Sequence, residues 1–396
     1  MDADASAAGL DPNRLRRIDE HLRSRYLDPG KIAGYQVAVV RNGTVGHLSS
    51  AGLMDRERSK PVADDTIWRL YSMTKPITGV ALMTLYERGH FQLDDVVERW
   101  IPEWQHLTVR GADGLVVPAR RPPTIRDVLT HTSGIGYGPE NRDIDLEQRN
   151  WLDGHDLAWL AASFGEWPLR FQPGTRWLYS HGMDIAARLV EIMSGELFDE
   201  YLHNEIFEPL GMVDTGFWVD DDRLDRFAAC YGRNSRKELV LVDDPEHSTY
   251  RHKPMLFNGG GGLVGTTADY VRFVTMLANG GELDGVRILG RKTVELMATN
   301  HLEGGVTVDE IAVPGAYGET GFAGNGFGLT VAVSQGPAAS GVVGSPGSYM
   351  WGGAASTTFW IDPAEDLAVV FMTQLIPSGT FNFGGQLRSI VYGALL

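Results

Sequence analysis

The chain has 396 residues, of which 43% are hydrophobic and 22% are charged, as in ordinary folded proteins and unlike disordered ones. Its 35 basic and 51 acidic residues leave a net charge of −16. That charge argues against nucleic acid or an anionic membrane as the main partner, because both attract positive charge. The single cysteine, Cys230, excludes an internal disulfide and a multi-cysteine metal site.

The N-terminal part of the chain predicts one helix followed by a β-hairpin. Apolar residues recur at helical spacing from Leu15 to Tyr26. The pair Asn42-Gly43 then separates the apolar runs 36–40 and 45–53. An Asn-Gly pair between two apolar runs is a strong hairpin signal.

The middle of the chain, from residue 72 to about residue 211, predicts mainly helices and long loops. A well-buried helix is expected over residues 72–88, where apolar residues cover a wide face. Strand signals are scarce, and further helices are expected at residues 95–100, 124–130, 156–164, 181–193 and 198–209.

After Gly211, glycine becomes frequent and short strands return. The expected strands cover residues 328–333, 357–361 and 367–372, with a hairpin turn at residues 362–366. The expected helices cover residues 268–278, with Thr266 or Thr267 as N-cap, residues 291–299, and the final apolar segment 387–396.

These elements predict an α+β fold. Because hairpins favour antiparallel pairing, the N-terminal hairpin is expected to share one antiparallel sheet with the C-terminal strands. The expected division is a discontinuous α/β domain, residues 1–71 and 212–396, with a mainly helical domain, residues 72–211, inserted into it.

The sequence contains no visible targeting or membrane-spanning segment. Residues 1–17 lack the apolar core of a secretory signal, and no apolar run approaches the roughly 18 residues of a spanning helix. We therefore expect a cytoplasmic protein with no membrane partner. Nothing in the sequence indicates its oligomeric state.

Two patterns carry little weight. Residues 260–265 fit G-x-G-x-x-G, but the strand before and the helix directly after that a dinucleotide site needs are missing, so we interpret them as tight turns. His247 and His252 are five residues apart in a predicted loop, which is poor spacing for a metal site. No metal and no cofactor are expected.

The most informative motif is Ser72-Met73-Thr74-Lys75, at the predicted start of a helix. Residues three apart on a helix lie on one face, so the Lys75 amine can reach the Ser72 hydroxyl and accept its proton. The positive end of the helix dipole then faces the developing oxyanion. The simpler alternative is an ordinary N-cap serine beside a solvated lysine.

Two further motifs have both a functional and a structural interpretation. Tyr179 precedes a predicted helix and could carry a proton if a nearby cation lowered its pKa, or it could be a semi-buried aromatic residue. Trp351-Gly352-Gly353 lies before a predicted strand, where the glycines allow close approach of a ligand. The alternative there is a turn with a packed tryptophan.

Taken together, Ser72-x-x-Lys75, Tyr179 and the late triplet resemble the serine β-lactamase and penicillin-binding-protein superfamily. Residues 128–134, Leu-Thr-His-Thr-Ser-Gly preceded by Val, are similar to a segment of class C β-lactamase-like proteins, and residues 209–212 and 259–265 add to this likeness. The resemblance covers nearly the whole chain, from about residue 32 to residue 374.

Two departures point to one branch of that superfamily. β-Lactamases begin the triplet with a lysine that binds the drug carboxylate, whereas Trp351 stands here. Their tyrosine motif ends in Asn, whereas His181 stands here. Both differences resemble the family VIII carboxylesterases, in which a Trp-Gly-Gly triplet is typical.

The resemblance implies an antiparallel sheet flanked by helices, a helical domain beside it, and an active site in the cleft between them. It implies Ser72 as nucleophile, Lys75 and Tyr179 as its activators, and the backbone N–H groups of Ser72 and Ala354 as the oxyanion hole. Asp184 could orient the site or act as a helix N-terminal charge. The expected substrate-binding residues are Tyr137, His181, Trp351, Gly352 and Gly353.

The expected function is hydrolysis of a small, neutral, short-chain acyl ester through an acyl-enzyme. A β-lactamase, an amide or peptide hydrolase and an acyltransferase remain open, because all of them share the acyl-enzyme. A non-catalytic binding module of the same fold is a further alternative, although such proteins usually lose the serine or the lysine.

Overall fold

The computed structural model describes residues 2–111, 114–138 and 152–396. Its first helix, α1 (Pro12–Leu22), begins at Asp11, whose side chain accepts hydrogen bonds from the N–H groups of Asn13 and Arg14. A π-helical turn extends it over Arg23–Leu27. The predicted N-terminal helix, including Tyr26, is therefore confirmed.

The predicted hairpin is confirmed as β1 (Gly34–Arg41) and β2 (Thr44–Asp55). Asn42 and Gly43 both have positive φ angles, 51° and 71°, as a two-residue hairpin turn requires. Two short strands follow, β3 (Lys60–Pro61) and β4 (Ile67–Arg69).

The middle of the chain is mainly helical, as predicted. The segment predicted at residues 95–100 is only a 3₁₀ turn, Val97–Arg99. The segment predicted at 198–209 is a continuous helical stretch whose middle, His203–Phe207, is a π-helical turn. A small unpredicted hairpin is also present. The elements are α2 (Thr74–Glu87), β5 (Thr108–Arg110), β6 (Val116–Pro118), α3 (Ile125–Leu129), α4 (Leu157–Glu166), α5 (Gly182–Ser194), α6 (Phe198–Leu202) and α7 (Glu208–Leu210).

The remainder alternates short strands with helices. Its elements are β7 (Cys230–Arg233), β8 (Leu239–Asp243), β9 (Val264–Thr266), α8 (Thr267–Ala278), β10 (Glu282–Leu283), β11 (Val286–Arg287), α9 (Arg291–Met297), α10 (Val308–Ile311), β12 (Asn325–Phe327), β13 (Ala332–Ser334), α11 (Pro337–Ser340), β14 (Tyr349–Gly352), β15 (Thr358–Asp362), β16 (Leu367–Met372) and α12 (Phe383–Tyr392). The turn predicted at residues 362–366 joins β15 to β16 as expected.

The strand predicted at residues 328–333 is correct only for Ala332 and Val333, which belong to β13. Gly328 to Val331 form the turn between β12 and β13, and Thr330 has a φ of 81°. The N–H groups of Leu329 and Thr330 donate to Met297 O and Leu129 O, at the ends of α9 and α3. Because helix ends supply these acceptors, this apolar run does not need a neighbouring strand.

One eight-stranded antiparallel sheet organises the fold, in the order β12-β13-β14-β15-β16-β1-β2-β3. The N-terminal strand β1 pairs with the C-terminal strand β16, with Val39 opposite Val369, so the predicted shared sheet is confirmed. Outside this sheet, β4 pairs with β9. This pairing places the end of β4 beside the glycine-rich loop, residues 259–262, that precedes β9. Within the described residues, no helix is long and apolar enough to cross a membrane.

Candidate active site

Ser72 lies in a 3₁₀ turn, Tyr71–Met73, that connects β4 to α2. Tyr71 has a φ of 46°, a left-handed conformation that is uncommon for a residue with a side chain. Lys75 lies in the first turn of α2, and its Nζ is 3.2 Å from Ser72 Oγ. Both side chains are buried, so the serine and lysine meet away from bulk water.

Lys75 also contacts residues from distant parts of the chain. Its Nζ donates to Tyr137 OH at 3.1 Å and to Gly260 O at 2.5 Å. The same nitrogen lies 4.4 Å from the centre of the Tyr179 ring, within the range of a cation–π contact. The lysine is therefore held in place by Tyr137, Gly260 and Tyr179 as well as by its own helix.

Tyr179 lies just before α5, and its hydroxyl accepts a hydrogen bond of 3.3 Å from Trp351 Nε1. Burial raises the pKa of Tyr179 well above its usual value, with a further contribution from Tyr137, and hydrogen bonds from Ser72 and Trp351 only partly oppose this. Because the charged form is disfavoured, Tyr179 is a neutral phenol near pH 7. The sequence analysis made a proton-carrying role for Tyr179 depend on a lowered pKa, whereas its surroundings in the structure raise that pKa.

The triplet lies at the end of β14, a strand that the sequence analysis did not predict. A Cβ placed on Gly353 would lie 2.4 Å from Leu70 O, so only glycine allows the backbone to approach the turn that carries Ser72 so closely. Ala354 follows directly. In the described part of the chain, neither the Ala354 N–H nor the Ser72 N–H donates to a backbone carbonyl.

The predicted substrate-binding residues occupy different surroundings. Tyr137 is partly buried, and its hydroxyl accepts the hydrogen bond from Lys75. Trp351 is only 1% exposed and packs against Tyr179 and Phe327, so it offers little surface to a ligand. Gly352 and Gly353 are buried beside it, where they keep the backbone close to neighbouring segments.

His181 is a buried contact residue rather than an open pocket wall. It is 3% exposed, its Nδ1 lies 2.6 Å from Asp184 Oδ2, and its Nε2 lies 3.0 Å from Tyr137 O. The other Asp184 oxygen accepts a hydrogen bond of 3.3 Å from the Gly260 N–H. Asp184 therefore contacts the groups that surround Lys75 through both of its oxygens.

His131 packs beneath the site. It is fully buried, and its ring lies edge-on to Tyr179 with 4.9 Å between ring centres. Burial, followed by the positive charge of Lys75, holds the pKa of His131 well below its usual value. A neutral imidazole is therefore expected there.

A cavity of about 560 Å³ lies beside the triplet. Glu319 lines it, accepts hydrogen bonds from Ser378 Oγ at 2.6 Å and Tyr317 OH at 2.9 Å, and has its backbone next to Gly352. Tyr317 in turn contacts Tyr179, with 6.2 Å between ring centres. Neither Glu319 nor the Gly260 carbonyl was predicted as part of the site. The loop that contains Gly260 is rich in glycine, a signal visible in the sequence, whereas no sequence signal distinguishes Glu319.

Across the described ranges, no group of three His, Cys, Asp or Glu side chains is placed to hold a metal ion. Cys230 is buried, and burial raises the pKa of its thiol to about 11. A protonated, inaccessible thiol is a poor nucleophile.

Comparisons with known proteins identify the family to which the chain belongs. The family model described as Beta-lactamase matches residues 20–385. Protein Rv1367c of Mycobacterium tuberculosis is 35% identical, and the match covers 88% of each chain. Esterase EstB of Burkholderia gladioli is 31% identical, with 96% of this chain and 93% of EstB covered.

Among solved structures, EstCE1, described as a hydrolase with promiscuous acyltransferase activity, superposes with a TM-score of 0.80. It is 26% identical, and the match covers 96% of this chain and 99% of that one. The eight-stranded antiparallel sheet with its flanking helices is thus the β-lactamase and transpeptidase-like fold that the sequence predicted. The chain belongs to the beta-lactamase family, as a serine hydrolase similar to the family VIII carboxylesterases.

Proposed function

We propose that this protein hydrolyses neutral, short-chain carboxylic esters through an acyl-enzyme on Ser72. The observation that carries the proposal is the 3.2 Å contact between Lys75 Nζ and Ser72 Oγ, in a buried setting beside Tyr179. A serine becomes a good nucleophile when an adjacent base can accept its proton. The names of EstB and EstCE1 support an esterase, and their similarity extends over nearly the whole chain.

The acylation step starts from the molecules in which Lys75 has lost its ammonium proton to solvent. The neutral amine accepts the Ser72 Oγ proton while Oγ attacks the ester carbonyl carbon. The resulting oxyanion is held by the N–H groups of Ser72 and Ala354. Tyr179, a neutral phenol, donates its proton to the departing alkoxide and regains one from the Lys75 ammonium. Attack by water on the acyl-enzyme then releases the acid and restores Ser72.

We further propose that the site lies where two domains meet, residues 72–211 on one side and residues 1–71 with 212–396 on the other. Ser72, Lys75 and Tyr179 come from the first. Gly260 and the triplet come from the second, and they contact Lys75 and Tyr179 directly. This arrangement supports a site at the junction of the two domains.

The preference for uncharged substrates is supported by two side chains. Trp351 supplies no positive charge where β-lactamases present a lysine to the drug carboxylate. Glu319, beside Gly352, adds a negative charge near the same strand. An anionic substrate would meet this carboxylate while losing water, which costs free energy.

The test compares kcat/KM for p-nitrophenyl butyrate and for nitrocefin in one buffer. We expect the ester to exceed nitrocefin by at least about two orders of magnitude, or roughly 3 kcal/mol of transition-state free energy. Equal values, or faster turnover of nitrocefin, would assign the protein to β-lactam hydrolysis. The acyltransferase alternative is tested by adding a small alcohol to the ester reaction and measuring the new ester that is formed. This test is included because EstCE1 is described as a hydrolase with promiscuous acyltransferase activity.

A further inference from the structure

Asp184 lies at the junction of two hydrogen-bonded routes to Lys75. One route runs from Asp184 Oδ2 to His181 Nδ1 at 2.6 Å, and from His181 Nε2 to Tyr137 O at 3.0 Å. The Tyr137 hydroxyl then contacts Lys75 Nζ at 3.1 Å. The second route runs from Asp184 Oδ1 to the Gly260 N–H at 3.3 Å, and from Gly260 O to Lys75 Nζ at 2.5 Å.

This network is buried and joins three segments of the chain. Asp184 is 1% exposed and His181 is 3% exposed, so bulk water does not replace their contacts. Asp184 and His181 lie at the start of α5, whereas Tyr137 and Gly260 lie in separate loops without regular secondary structure. Loops of this kind keep a fixed position only where tertiary contacts hold them.

We propose that Asp184, acting partly through His181, is a positioning residue that fixes Tyr137 and Gly260 around the Lys75 amine. The inference rests on the proposed function, because it assigns the network a role only if Lys75 activates Ser72. Asp184 does not touch the reacting atoms. It sets where the lysine nitrogen stands relative to Ser72 Oγ, and a misplacement of about 1 Å can cost on the order of 10²-fold in rate.

The two oxygens of Asp184 make the substitution Asp184→Asn informative. An asparagine keeps the size of the side chain, but its NH₂ group replaces one acceptor and faces either the Gly260 N–H or His181. If the NH₂ group faces the Gly260 N–H, the second route breaks; if it faces His181, the contact with His181 loses the carboxylate charge. His181→Phe removes the first route alone, and His181→Gln restores an amide donor that could reach the Tyr137 carbonyl.

A matched control is available in Asp269→Asn. Asp269 is also a buried aspartate in the first turn of a helix, α8, and it accepts two hydrogen bonds of 2.8 Å, from the Asp214 N–H and Thr215 Oγ1. None of these contacts leads to Lys75. Both variants therefore replace a buried carboxylate by an amide, but only Asp184→Asn changes a residue that contacts the groups around Lys75.

The experiment measures the rate at which a fluorophosphonate modifies Ser72, together with kcat, KM and Tm. We expect Asp184→Asn to slow modification and to lower kcat by about 10²-fold with KM little changed. His181→Phe should lower both, with partial recovery in His181→Gln, and Asp269→Asn should lower Tm without changing either rate. If Asp184→Asn does not fold, the His181 pair carries the same test.

A double-mutant cycle separates positioning from general destabilisation. If Asp184 acts through Lys75, Asp184→Asn should cause little further slowing of Ser72 modification in a Lys75→Met background. Equal slowing in both backgrounds, or unchanged rates in Asp184→Asn and His181→Phe, would overturn the inference. Failure of the probe to modify Ser72 in the wild type would instead contradict the proposed function.

Discussion

The indole N–H of Trp351 points to the hydroxyl oxygen of Tyr179, at a distance of 3.3 Å. Trp351, which the sequence suggested as a substrate-binding residue, is thus buried and donates a hydrogen bond to the tyrosine hydroxyl. The bond fixes the orientation of the phenol that we propose as proton donor, which makes Trp351 part of the support of the site.

Replacing Trp351 by Phe should therefore lower kcat for p-nitrophenyl butyrate by roughly 3- to 10-fold, the cost of one hydrogen bond. Trp360→Phe is the matched control, since Trp360 is equally buried in the neighbouring strand β15 and its Nε1 has no partner in the described structure. We expect that control to reduce Tm and to leave kcat unchanged. An equal loss of kcat in both variants would contradict the role of the bond.

Lys75→Met should lower kcat by about 10²- to 10⁴-fold, the range typical for loss of a positioned proton acceptor. Methionine keeps much of the length of the side chain but cannot accept the Ser72 proton. The measurement is kcat by single-turnover kinetics, with circular dichroism as the check on folding. A folded Lys75→Met protein with nearly normal kcat would exclude the lysine as the base.

The pKa of Tyr179 leads to a prediction about pH. Because burial raises it, the protonated phenol is favoured, and the phenolate should not form until the pH exceeds the ordinary tyrosine value of about 10. We expect ultraviolet titration of the wild type and of Tyr179→Phe to give the same amount of tyrosinate up to that pH. One additional tyrosinate in the wild type near neutral pH would make Tyr179 a base rather than a donor.

Glu319→Gln tests the electrostatic part of the substrate preference. Removing the negative charge should raise kcat/KM for nitrocefin several-fold and leave that for p-nitrophenyl butyrate unchanged, because only the former carries a carboxylate. Glu310→Gln, on the surface in the capping box of α10, is the control for overall charge. If the two variants behave alike, Glu319 does not select substrates.

The parts of the fold that the sequence predicted are those with a strong local signal. The Asn42-Gly43 turn requires two positive φ angles, and few other dipeptides tolerate them, so this pair between two apolar runs located the first hairpin. The start of α8 was predicted with Thr266 or Thr267 as N-cap, and the structure shows that Thr266 is the cap, with its side chain accepting a hydrogen bond from the Asp269 N–H. Residues 328–331 were wrongly predicted as part of a strand, because the backbone N–H groups of Leu329 and Thr330 bond to helix ends that are distant in sequence.

The same distinction applies to the site. Ser72 and Lys75 are three residues apart, so helical geometry alone predicted their contact. The Gly260 carbonyl accepts a hydrogen bond from Lys75, which is 185 residues away in the sequence. Every residue has a backbone carbonyl, so the residue type at position 260 does not predict this contact. The contact between Trp351 and Tyr179 likewise depends on how β14 meets the start of α5, which local patterns do not encode.

Prolonged dialysis against EDTA should leave esterase activity unchanged. The proposed reaction uses only Ser72, Lys75, Tyr179 and backbone N–H groups, none of which requires a metal ion. The measurement is kcat/KM before and after dialysis. Loss of activity that added zinc restores would contradict the proposed chemistry.

The central claim, that Ser72 carries the acyl group, is tested most directly by mass spectrometry of the protein after reaction with a fluorophosphonate. We expect one adduct, on the peptide that contains Ser72, and no adduct and no ester hydrolysis in a folded Ser72→Ala protein. Ser180→Ala, which removes another buried serine next to Tyr179, should still be labelled at Ser72. An adduct on any other residue, or ester hydrolysis that survives in Ser72→Ala, would contradict the account.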